Sequence, residues 1–74
     1  MVSNEIKKWR LQRGSGGISQ AHLARQIRES RSYVNRLERG KRQPNANVMF
    51  KVAQYFGCHV EDVFHYVPEA KGLP

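Results

Sequence analysis

Apolar residues recur at helical spacing in five stretches of this chain, and glycine, proline and short polar breaks divide them. The first predicted helix covers about residues 4–13, with Ser3 or Asn4 as N-cap. Ile6 and Trp9 face the core, Leu11 is a further core candidate, and Lys7, Lys8 and Arg13 are left to solvent. Gly14-Ser15-Gly16-Gly17 then ends the helix and reads as a flexible linker, because glycine cannot continue a helix cheaply.

The second helix is expected from Ser19, as N-cap, to about Ile27, burying Leu23, Ala24 and Ile27. Ser30 is a second N-cap signal, opening a third helix that turns Val34 and Leu37 inward and is stopped by Gly40. Only Arg28 and Glu29 lie between these two helices, so they must cross steeply, as in a helix-turn-helix. Pro44 blocks direct continuation. A fourth helix is predicted from Asn45 or Asn47, burying Met49, Val52, Ala53 and Phe56, with Gly57 as its stop. A short fifth helix follows at about residues 60–66, and Pro68 opens a polar tail. No alternation long enough for a strand is visible. The pattern predicts an all-α fold, with one five-helix domain over residues 1–67 and a tail over 68–74.

Three stretches then carry a family likeness. Ile18-Ser19-Gln20-Ala21-His22-Leu23-Ala24 is followed by Ser30 through Pro44 with Val34, Leu37, Glu38, Gly40 and Lys41 in step, and later by Ala53-Gln54-Tyr55-Phe56-Gly57. The chain from about Ile6 to Phe64 resembles the lambda-repressor/Cro-like (xenobiotic-response-element) helix-turn-helix regulators. That resemblance implies a compact DNA-binding fold with the motif in helices two and three. It also implies a transcriptional regulator of a bacterium, phage or plasmid that acts in the cytoplasm, and a structural ion pair between Arg10 and Glu38 that also steers Arg10 toward a phosphate. Two departures stand out. Arg28 occupies a turn position where the family usually has glycine, so either Arg28 is left-handed, at roughly 1 kcal/mol, or the turn differs. The link through Ser15-Gly16-Gly17 is also longer than usual, which costs little.

Groove geometry then assigns roles. A helix fits the major groove, and its first exposed side chains meet the base edges. Arg31, Ser32 and Arg36 are the leading base readers. Arg31 and Arg36 can each grip guanine O6 and N7 for about 1–3 kcal/mol of discrimination. Tyr33 and Asn35 rank second, since the Tyr33 ring can equally pack beside Leu37 with its hydroxyl on a phosphate or water. Ser19, Gln20, Arg39, Lys41 and Arg42 are the expected phosphate contacts, with a plain solvated loop as the alternative for Lys41 and Arg42.

Charge sharpens this picture. Of the +7 total, residues 1–43 hold eleven Lys/Arg against three Glu, a net of +8, whereas residues 44–74 carry a net of −1. A basic half of this kind attracts a polyanion by counterion release. The single cysteine, Cys58, forbids an internal disulfide, and Cys58, His59 and His65 supply too few ligands for a structural zinc. No cofactor is expected. No nucleophile turn or P-loop is present, so catalysis is not indicated. No apolar run approaches the roughly 20 residues of a membrane span. Double-stranded DNA is therefore the expected partner, read by a homodimer joined through the fifth helix and tail, where Phe64, Tyr66 and Val67 offer apolar surface, although Phe64 taken alone fits the core better. Two alternatives keep the fold: an antitoxin whose main partner is a toxin protein, and a non-specific nucleic-acid or coactivator-bridging module.

Overall fold

The computed structural model describes residues 1–68. In chain order its elements are β1 (Val2–Asn4), α1 (Ile6–Gln12), α2 (Gln20–Gln26), α3 (Arg31–Glu38), α4 (Ala46–Phe56), α5 (Val60–Val63) and β2 (Phe64–Tyr66). Five helices are present as expected, but a two-stranded antiparallel sheet joins the two ends of the domain.

That sheet corrects the reading of the C-terminal segment as one helix to Tyr66. The helix stops at Val63, and Phe64 is already extended at φ −115°, ψ 136°. Val63-Phe64-His65-Tyr66-Val67 is rich in β-branched and aromatic residues, and Pro68 holds the residue before it away from helical backbone. Residues 2–4 supply the partner strand, in the register Val2↔Tyr66, Ser3↔His65 and Asn4↔Phe64. A three-residue strand is shorter than any window in which alternation can be read. An isolated hairpin-sized sheet is marginal in water, so this one depends on the domain. Val2 packs on the core, Val63 and Phe64 are buried, and Gln43 covers the outer edge of β1. There Val2 N donates to Gln43 Oε1 at 2.6 Å, and Gln43 Nε2 returns a bond to Val2 O at 3.2 Å.

The strand also shifts the start of α1. Asn4 is spent in β1, and Glu5 takes the N-cap position without a side-chain cap. Asn4 still serves both neighbours: its Oδ1 accepts from Ile6 N at 3.1 Å, and its Nδ2 donates to Leu37 O at the end of α3 at 2.7 Å. Ile6 is fully buried, Trp9 packs at the edge of the core with its ring 5.9 Å from Phe56, and Leu11 faces solvent.

Ser19 caps α2 by accepting from His22 N, and Ser30 caps α3 by accepting from Tyr33 N, both at 3.0 Å. Arg28 adopts the left-handed conformation, at φ 58°. Its N–H and that of Glu29 then reach back to Arg25 O and Ala24 O, closing α2 in the way glycine usually does. On α4, capped by Asn45, Val48 rather than Met49 fills the core beside Val52, Ala53 and Phe56, and Met49 is half-buried.

The glycine link is not a free linker throughout. Gly17 sits at φ +80° against the end of α1, where an added Cβ would lie 2.9 Å from Leu11 Cα and 3.0 Å from Leu11 O. The next residue, Ile18, donates its N–H to Arg10 O at 3.0 Å. The extra length is therefore taken up before Gly17, and the chain is docked on α1 before it enters α2.

Candidate nucleic-acid interface

The face of α3 opposite Val34 and Leu37 carries the charge. Arg31, Ser32 and Arg36 are exposed, and Asn35 is half-buried beside α2. Arg31, Ser32 and Asn35, together with Gln20 from the first turn of α2, line an open cleft of about 360 Å³. Arg39 ends the helix, and Lys41 and Arg42 continue the basic surface into the loop, all three exposed. Lys41 N donates to Arg36 O at 2.8 Å, so the start of that loop is folded back onto α3.

Tyr33 is half-buried, its ring on the core and the Arg42 guanidinium 5.2 Å from the ring centroid. Burial pushes its hydroxyl above the ordinary tyrosine range and the Glu29 charge adds to this, while Arg42 opposes it. Tyr33 does not line the cleft, and the contact holds Arg42 near the N-terminal half of α3.

Arg10 and Glu38 form a buried bidentate pair. Arg10 Nε donates to Glu38 Oε2 at 2.8 Å and Nη2 to Oε1 at 3.0 Å, while Nη1 donates to Ile18 O at 2.9 Å. Each of the three Arg10 nitrogens donates one of these bonds and the residue is 8% exposed, which leaves it little access to a phosphate. Burial of this pair makes the surface more basic, since the one carboxylate of α3 is neutralised within the protein.

Gln20, at the start of α2, is hydrogen-bonded within the protein through both ends of its amide. Its Nε2 donates to Glu38 Oε1 at 3.1 Å, and its Oε1 accepts from Asn35 Nδ2 at 3.4 Å, which ties the first turn of α2 to the C-terminal half of α3. Ser19 is exposed and already accepts the α2 cap bond. Sequence reasoning missed this amide link because its members are fifteen and eighteen residues apart, and Gln43 was missed because its partner is forty-one residues away.

The three residues considered for joining two copies divide between core and surface. Phe64 is 5% exposed and belongs to the core, whereas Tyr66 is 74% and Val67 44% exposed at the end of β2. The last six residues of the predicted tail, 69–74, lie outside the described residues. Among the described residues no helix is long and apolar enough to cross a membrane.

A family model described as helix-turn-helix matches residues 6–63. A protein of Methanocaldococcus jannaschii, named as an HTH-type transcriptional regulator, is 34% identical over 65 residues, which cover 88% of this chain and 94% of the relative. A protein of Archaeoglobus fulgidus with the same kind of name is 32% identical over 57 residues, or 77% of this chain and 81% of the relative. Both organisms are archaea, outside the bacterial, phage or plasmid setting that the resemblance suggests.

Proposed function

Because this chain belongs to the lambda-repressor/Cro-like helix-turn-helix family of transcriptional regulators, a DNA-binding regulator by that membership, we propose that it reads a specific palindromic operator and represses transcription there as a homodimer. The observation that carries this reading is the exposed face of α3, where Arg31, Ser32 and Arg36 project beside an open cleft and Arg39, Lys41 and Arg42 flank it. The first three meet base edges in the major groove, and the flanking cations hold the helix on the phosphates. Arg31 and Arg36 select guanine with two parallel donors each.

One recognition helix covers too few base pairs for useful specificity, and a two-fold axis sets two helices about 34 Å apart on one face of the duplex. Tyr66 and Val67, exposed at the end of β2 and close to the chain's N-terminus through the Val67 N to Met1 O bond of 2.7 Å, are the apolar surface available for that pairing. A dimer seated on promoter DNA represses by occupying it. Its natural setting is the cytoplasm.

Selection from a random duplex library at near-physiological salt, with the wild type, Arg31→Ala and Arg36→Ala, tests the reading. An inverted repeat whose guanines relax in the two variants is the expected result. Absence of any motif, with uniform loss of binding in both variants, would overturn sequence-specific readout by α3.

A further inference from the structure

The amides that line the cleft are oriented by hydrogen bonds that begin in the core. Arginine has donors only, and Arg10 engages both oxygens of Glu38, so Glu38 can offer its surroundings nothing but acceptors. Gln20 must therefore face Glu38 Oε1 with its NH₂ group, as the 3.1 Å contact from Nε2 has it. The Gln20 carbonyl is left pointing at Asn35, and an oxygen there admits only the NH₂ end of the Asn35 amide, at 3.4 Å. Turning Asn35 over would set oxygen against oxygen. Turning both amides would set the Gln20 oxygen against a carboxylate.

We infer that Asn35 reads an adenine in each half-site, and that Gln20 and Glu38 are positioning residues that fix which way its amide faces. This rests on the DNA-binding reading above. With one Nδ2 hydrogen spent on Gln20, Asn35 keeps Oδ1 and a second N–H on its free edge. Adenine presents N6–H₂ and N7 in the major groove, a donor beside an acceptor, and the two edges match. Guanine presents O6 and N7, both acceptors, so Oδ1 meets a lone pair. A free asparagine could turn to accommodate guanine in part, but one held through Gln20 and Glu38 cannot. The same cleft also holds Arg31 and Ser32, so the adenine lies next to a position read by Arg31.

The test is the same library selection, extended to Asn35→Ala and Gln20→Ala. Both residues are outside the buried core and neither variant removes the Arg10–Glu38 pair, so the fold is retained. In the wild type one position per half-site should prefer adenine over guanine by roughly tenfold or more. Asn35→Ala should lose that preference at that position alone, with the Arg31-dependent guanine kept. Gln20→Ala should reduce the adenine-over-guanine ratio at the same position and leave the salt dependence unchanged. The inference is overturned if Asn35→Ala selects the wild-type motif. It is equally overturned if Gln20→Ala weakens all sequences alike with a salt slope lower by about one, the behaviour of a phosphate contact. A wild-type motif that survives in Asn35→Ala removes only this inference, whereas no wild-type motif at all removes the DNA reading on which it stands.

Discussion

Replacing Arg10 with methionine keeps much of the side-chain volume and removes three donors at once. Glu38, whose side chain is 5% exposed, would retain the Gln20 amide but no counter-charge, and Ile18 O would lose its partner. Breaking a buried pair by removing one member costs about 3–5 kcal/mol, because the remaining charge stays desolvated. Domains are held by roughly 0.05–0.15 kcal/mol per residue, so a chain of this length has about 4–11 kcal/mol in all, and Arg10→Met consumes a large share of it. The pair itself, however, is close to neutral against an apolar replacement of both members. Arg10→Met with Glu38→Leu should therefore be less destabilised than Arg10→Met alone, despite the orphaned Gln20 amide. Urea unfolding followed by fluorescence gives both numbers, since Trp9 is the only tryptophan and its environment is set by Phe56 and by its bond to Asp62 O. A loss below about 1 kcal/mol for Arg10→Met would place the pair with ordinary surface ion pairs and refute the reasoning, as would a double variant worse than the single one.

Further perturbations separate backbone from side-chain effects. Arg28→Gly should raise the urea midpoint by an amount worth about 1 kcal/mol or less, because it relieves a left-handed arginine but loosens the unfolded chain; a fall in the midpoint would show that the Arg28 side chain matters more than its backbone. Gly17→Ala should cost more than Gly16→Ala, for both have positive φ but only the first would drive a Cβ into Leu11; equal losses in thermal unfolding would contradict the docked loop. Glu5 links acid pH to stability. The hydrogen bond from His65, Nε2 to Oε2 at 2.6 Å, and then that from Lys8 hold its carboxyl below the ordinary 4.5. A carboxyl depressed in the folded state contributes stability above its unfolded pKa and loses it as the pH falls through the lower folded value. Glu5→Gln should accordingly flatten the urea midpoint between about pH 5 and pH 3, and an unchanged slope would show that the His65 contact carries no linkage.

Much of the molecule was legible locally. Ser19 and Ser30 announce their helices by side-chain oxygens that reach backbone donors only three residues on, and Leu23 with Ile27, and Val34 with Leu37, each share the inner face of their own helical segment by simple periodicity. The exchange of Met49 for Val48 was not legible, because both sit within one turn of Val52 and only the neighbouring elements decide which points inward. The end sheet was hidden more deeply, since Phe64 to Tyr66 is extended only because residues 2–4 return beside it.

The sequence by itself determined where the two central helices begin, that they are joined too tightly to lie antiparallel, and that basic residues gather on the exposed side of the second, because these follow from bonds and spacings a few residues long. Only the tertiary structure decided that Arg10 is buried rather than free, that Gln43 closes a strand edge, and that Glu38, Gln20 and Asn35 form one oriented chain. Those outcomes depend on which groups remain unsatisfied when distant segments meet, and a donor or acceptor acquires its partner only at that meeting.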